Sequence, residues 1–160
     1  MTEAGLARRG LPATDGSPIL LVEDDPDDVA LIERAFRRAN LANPVKVARD
    51  GEEAVEYLSG AGPHADRTSS PLPVLILLDL KVPRRTGHEV LEWMQAQDGL
   101  RRIPVAVLTS SQERRDVDKA YDLGANAYLV KPVDFEELLR MVKSLHLFWL
   151  MLNEPPEVGS

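Results

Sequence analysis

The sequence predicts an α/β domain: a parallel sheet with helices packed on both faces. Three observations carry that prediction. Five short apolar runs recur along the chain, and the first, Ile19-Leu20-Leu21-Val22, lacks the in-out alternation of a half-exposed sheet, as a strand covered on both faces requires. The stretches between them repeat their apolar residues at helical spacing. Most runs end abruptly on an acid, a hydroxyl or a lysine.

The elements follow in order. Residues 1–17, rich in Gly, Ala, Thr and charge without periodicity, read as a flexible arm. Ile19-Leu20-Leu21-Val22 is the first strand. Asp25 is placed to cap the next helix, with Pro26 at its first position and Val29, Ile32, Phe36 and Ala39 along one face. Val45–Ala48 is the second strand. Asp50 and Glu53 suggest a capping box ahead of Val55 and Leu58. A loop over 60–73 is longer than the usual connection of about 2–6 residues. Val74–Leu78 is the strongest strand, closed by Asp79. Thr86 and Glu89 suggest a second capping box. Ile103–Leu108 is the fourth strand and Thr109 ends it. Ser110 and Glu113 open a helix that Gly124 ends. Ala127–Val130 is the fifth strand, followed by Lys131 and Pro132, and Asp134 with Glu137 starts the last helix. The domain is expected over 18–152, with a tail at 153–160.

Composition narrows the function. The 160 residues are 44% hydrophobic, enough for a full core. A net charge of −7 and an isoelectric point near 5.0 disfavour sequence-independent nucleic-acid binding, which needs clustered Lys and Arg. Without cysteine there is no disulfide, thiolate catalysis or Cys-bound zinc. The apolar run Leu147–Leu152 is far below the roughly 20 residues of a membrane-spanning helix, and no leader peptide is evident. A cytoplasmic protein is expected.

Ligands of open α/β sheets bind beyond the carboxyl ends of the strands. Glu23, Asp24, Asp79, Thr109 and Lys131 all follow strands and should meet there. Two unit charges about 4 Å apart interact by roughly 4 kcal/mol at an effective dielectric near 20, so three clustered carboxylates call for protonation or cations. Lys131 supplies one positive charge. An oxygen-only donor set would suit magnesium, with manganese as an alternative occupant. Asp79, on the central strand, is the carboxylate best placed as a nucleophile. Spacing alone does not choose phosphoryl transfer. Asp25, Asp27 and Asp28 read as helix-start acids favoured by the dipole. His64, His88 and His146 lack metal-ligand spacing and read as surface residues.

Four segments sharpen this. Ile-Leu-Leu-Val-Glu-Asp-Asp-Pro (19–26), Leu-Ile-Leu-Leu-Asp-Leu-Lys-Val-Pro (75–83), Val-Leu-Thr-Ser (107–110) and Ala-Tyr-Leu-Val-Lys-Pro (127–132) resemble the receiver domain of two-component response regulators. The resemblance spans about residues 18–145. It implies a doubly wound sheet of order 2-1-3-4-5, an order that the receiver fold itself exemplifies. It implies Asp79 as phosphoacceptor. Magnesium would be held by Asp24, Asp79 and the Lys81 backbone carbonyl, with Glu23 acting through water. Thr109 and Lys131 would hold the phosphoryl group, and Tyr128 would be an aromatic switch. The resemblance also suggests a cis bond between Lys131 and Pro132. The loop at 60–73 and the Leu-Phe-Trp-Leu ending resemble the regulators paired with bacterial phytochrome histidine kinases, making such a sensor kinase the expected partner. The last helix is apolar on more than one side. It therefore suggests a homodimer through Leu145, Phe148, Trp149 and Leu152, aided by the fourth helix and fifth strand. No nucleic-acid or membrane partner is expected, and no enzymatic turnover of an external substrate. Two other readings stay open: an aspartyl-nucleophile phosphotransferase or phosphatase acting on an external substrate, and a dimeric pseudo-receiver adaptor.

Overall fold

A computed structural model describes residues 16–146. Five parallel strands stand in the order β2-β1-β3-β4-β5: β1 (Ile19–Val22), β2 (Val45–Ala48), β3 (Leu75–Leu78), β4 (Val105–Thr109) and β5 (Ala127–Val130). The helices are α1 (Pro26–Arg38), α2 (Gly51–Ser59), α3 (Gly87–Gln95), α4 (Arg114–Asp122) and α5 (Phe135–Leu145). β3 pairs Ile19 with Leu75 on one side and Ile76 with Val105 on the other, which makes it the central strand.

The pleat divides the core in two. Leu20, Val22, Ile76, Leu78, Val105 and Val107 point into the layer beneath α2, α3 and α4. Ile19, Leu21, Leu75, Leu77, Ala106 and Leu108 point into the layer beneath α1 and α5. Every residue of β1, β3 and β4 is therefore buried, the physical reason these runs show no alternation. Each buried leucine contributes about 1.5–3 kcal/mol.

Most helix starts are as expected. Asp25 accepts from the Asp27 amide at 2.9 Å and Asp134 from the Glu137 amide at 2.8 Å. Thr86 and Glu89 form the full reciprocal box, at 3.2 and 3.0 Å. At α2 only half a box forms: Asp50 accepts from the Glu53 amide at 2.8 Å, while Glu53 reaches the Arg49 amide at 3.3 Å. α4 begins at Arg114, not Ser110. Its N-cap is Glu113, which makes no side-chain cap bond; Ser111, two residues earlier, accepts from the Glu113 amide at 3.4 Å and donates to Asp116 at 2.5 Å.

Residues 1–15 of the expected arm lie outside the described residues; Asn43 donates to the Ser17 carbonyl at 2.9 Å. Two further expectations are corrected. Leu145 is buried beside Leu138 and Val142, because helical spacing places all three on the face of α5 that covers the sheet. It is core, not dimer surface. The Lys131–Pro132 bond is trans, as is every peptide bond among the described residues; even a tertiary amide keeps a trans preference of about 0.5–1 kcal/mol. Phe148, Trp149 and Leu152 lie outside the described residues.

The long loop is folded. Arg67 donates to the carbonyls of Tyr57 (2.8 Å), Leu58 (2.7 Å) and Ser70 (3.2 Å), capping the carboxyl end of α2. The Tyr57 hydroxyl donates to the Pro71 carbonyl at 2.6 Å. None of the histidines is fully exposed: His64 meets Ser70 at 3.1 Å and His88 the Asp116 carbonyl at 3.2 Å, and His146 is half-buried.

Candidate functional site

The main-chain ladder continues one residue past the strands, so the polar residues that follow are held as firmly as the strands. The Glu23 amide donates to Ala48 O (2.9 Å), Asp79 to Val22 O (3.0 Å) and Lys131 to Thr109 O (2.8 Å). This brings Glu23, Asp79, Thr109 and Lys131 to one edge. α3 starts directly against it: a Cβ on Gly87 would lie 2.5 Å from the Asp79 carbonyl oxygen, so only glycine allows this approach.

Asp79 is buried, at 7% exposure, and both of its carboxylate oxygens are engaged. Oδ1 accepts from the Thr109 hydroxyl at 2.9 Å and from the Lys81 amide at 3.2 Å. Oδ2 accepts from Lys131 Nζ at 3.0 Å. The same ammonium reaches Glu23 Oε1 at 2.5 Å and Asp28 Oδ2 at 2.8 Å. Glu23 Oε2 takes the Asp25 amide at 3.1 Å. Asp24 is exposed, yet one oxygen each from Glu23, Asp24 and Asp79 lie within 4.8 Å of one another.

Three carboxylates thus surround one ammonium, and a fourth, Asp24, lies beside two of them. Burial pulls the Lys131 ammonium down, but hydrogen bonds from it to Asp28, Glu23 and Asp79 outweigh this and hold it above its ordinary value. Burial pushes the Glu23 carboxyl up, and the Asp79 charge adds to this against the pull of Lys131 and the Asp25 amide. The site is short of positive charge. Hard oxygen donors, one of them facing solvent, fit a small divalent cation that keeps several waters.

Sequence reasoning placed Glu23, Asp24, Asp79, Thr109 and Lys131 together, and the structure brings them together. Tyr128 is half-buried, its hydroxyl donating to the Ser111 carbonyl at 3.0 Å. Asp28, read as a dipole acid, is instead a partner of Lys131. Ser111 was missed. It lies under Tyr128, its amide 3.5 Å from Thr109 Oγ1 and its hydroxyl on Asp116. Asp28 lies one helical turn before buried Ile32, a faint sign that it faces the sheet. Ser111 carries no such sign.

Fold and site together define an α/β domain with a buried carboxylate, a shared ammonium and a cluster of acids at one edge of its sheet. The chain belongs to the response regulator receiver domain family, whose sequence profile matches residues 19–143. Among curated relatives, the probable methanogenesis regulatory protein FilR2 of Methanothrix harundinacea is 41% identical over 91% of this chain and 92% of its own. The response regulator Rcp1 of Synechocystis sp. is 39% identical over 82% and 88%. Among solved structures, the phosphorylated cyanobacterial phytochrome response regulator RcpA superposes with a TM-score of 0.82 at 37% identity, over 89% of this chain and 99% of that one. The Mn2+-bound form of Rcp1 gives 0.78 at 37%, over 88% and 99%. The bacteriophytochrome response regulator RtBRR gives 0.71 at 48%, over 90% and 86%. The protein is therefore a two-component signalling receiver related to phytochrome response regulators, and the alternative of a phosphatase for external substrates is not favoured. Receivers bind a divalent metal at this acidic pocket. No described helix is long and apolar enough to cross a membrane.

Proposed function

We propose that Asp79 is the phosphoacceptor, taking a phosphoryl group from a phosphohistidine of a sensor histidine kinase. The observation that carries this is the pairing of a buried carboxylate with a hydroxyl and an ammonium already directed at it: Thr109 at 2.9 Å and Lys131 at 3.0 Å. A carboxylate oxygen of Asp79 forms the new P–O bond as the P–N bond to histidine breaks, and the ring, carrying a proton on its other nitrogen, leaves as neutral imidazole. Asp24, Asp79 and the Lys81 carbonyl would hold Mg2+, with Glu23 behind a water. The ion would neutralise charge on the transferring group. Thr109 and Lys131 then exchange carboxylate oxygens for phosphoryl oxygens. Tyr128 follows through Ser111, which joins it to Thr109.

The phosphoryl group acts as a ligand that favours one of two conformations. Moving such an equilibrium from 1:99 to 99:1 takes about 5.5 kcal/mol, within reach of a few charge-assisted bonds. The kinase is read as a bacteriophytochrome, supported by the 48% identity to RtBRR and by the likeness to Rcp1 and RcpA. The output is read as a cytoplasmic protein surface and a homodimer. Phe148, Trp149 and Leu152 support the dimer by their apolar character alone.

One experiment tests the set. The protein and its Asp79→Asn variant are incubated with Mg2+ and either a phosphorylated bacteriophytochrome or a phosphorylated non-photoreceptor kinase. Label on the protein, faster from the photoreceptor and absent from the variant, is expected. Wild-type labelling of the variant overturns the phosphoacceptor, and equal transfer from both kinases overturns the pairing. Sedimentation of the same samples reads the dimer; a monomer in both states overturns it.

A further inference from the structure

The loop between β3 and α3 contains an uncommon backbone feature. Arg84 has φ of 69°, one of two non-glycine residues with positive φ among those described. The Arg85 amide donates back to the Pro83 carbonyl at 2.8 Å, closing a three-residue turn around Arg84. A γ-turn with positive central φ is rare and strained. Such strain persists only where the surroundings impose it, and it clusters at functional sites.

The surroundings here are the start of α2. Arg84 Nε lies 3.0 Å from Asp50 Oδ2 and its Nη2 lies 3.3 Å from Oδ1, a two-pronged grip. The same Asp50 caps α2 through the Glu53 amide. Arg85 Nε reaches Glu52 at 2.7 Å. The Gly51 amide donates to the Pro83 carbonyl at 3.2 Å. A Cβ on Gly51 would fall 1.9 Å from the Arg85 carbonyl oxygen, so the two backbones are in direct contact. At the far end of the loop, the Gly87 amide closes onto the Leu80 carbonyl at 3.0 Å. Lys81 lies between these fastenings, with buried Leu80 and Val82 on either side.

We propose that Arg84 and Asp50 are positioning residues: their ion pair holds the β3–α3 loop in its strained turn and so sets the Lys81 carbonyl toward the acidic pocket. The two act on the metal through the loop and not by contact with it. This rests on the reading of Asp24, Asp79 and Lys81 as the Mg2+ ligands.

The test is a calorimetric Mg2+ titration of the full chain, with thermal unfolding of each variant without metal. Arg84→Gly accepts positive φ without strain, so its unfolding temperature should not fall. Its Mg2+ dissociation constant should nonetheless rise about fivefold, the upper end of what an exposed ion pair is worth. Asp50→Asn still caps α2 and should weaken Mg2+ to the same degree. The double variant should lose no more than either single one, because both act through one contact. Wild-type affinity in Arg84→Gly overturns the proposal, as do losses that add in the double variant. A wild-type chain that binds no Mg2+ overturns the ligand assignment itself, and this inference with it.

Discussion

Glu23 is almost fully buried, 1% exposed, yet carries a carboxylate beside Asp79. Burial raises its pKa above the ordinary value of 4.5. A carboxyl with a raised folded pKa contributes stability below 4.5, and loses it as pH rises through the folded value. At neutral pH its ionisation therefore destabilises the metal-free fold. Glu23→Gln keeps an acceptor for the Asp25 amide and removes the charge. It should raise metal-free stability at pH 7 and flatten the pH profile above 4.5. Urea unfolding between pH 4 and 8 reads both; a variant less stable than the parent at pH 7 contradicts the account. Asp79 and Lys131 were legible as residues because each directly follows an apolar strand. Asp28 was not: whether a first-turn acid faces solvent or the sheet depends on how α1 lies across it.

At the scale of elements, the helix starts decide where the loops over the site begin and end. α3 carries the full reciprocal box, and its first residue is Gly87, in contact with the Asp79 backbone. Thr86→Ala should cost about 1 kcal/mol and fray the first turn of α3. Urea midpoints and faster amide exchange at His88 and Glu89 would show it; unchanged exchange at those amides would count against the role. Capping residues were readable four of five times as a clear side-chain acceptor three residues before an acid, at Asp25, Asp50, Thr86 and Asp134. At α4 the pattern misled. Ser110 had the right spacing to Glu113, but Ser111 is the residue whose hydroxyl turns inward to Asp116. Two adjacent serines differ only in which way the chain turns after β4, and no local preference encodes that.

Across the whole molecule, the segment 60–73 extends the layer of α2 and α3 instead of hanging from it. Arg67 joins three carbonyls, and Tyr57 ties Pro71 back to α2. Arg67→Ala should destabilise the domain by about 1.5–3 kcal/mol, the worth of hydrogen bonds to a charged group, and raise amide exchange over 57–61 first. Exchange that rises uniformly across the domain, with no lead in that segment, would contradict a local cap. Length and Pro/Gly content identified this loop, but its partners could not be read, since Arg67 bonds backbone carbonyls and leaves no complementary residue in the sequence.

The amino-acid sequence by itself determined the order and kind of the elements, the two-sided burial of β1, β3 and β4, and the convergence of five polar residues at one edge. Hydrophobic period and strand-end position are local properties, and they suffice for that. Only the tertiary structure decided that Lys131 gathers Glu23, Asp28 and Asp79 together, that Leu145 belongs to the core, that Lys131–Pro132 is trans, and that Arg84 holds a strained turn against Asp50. Each of these depends on the angle and distance at which separate elements pack, and that geometry is set by the sum of many buried contacts, not by any residue's own neighbours in the chain.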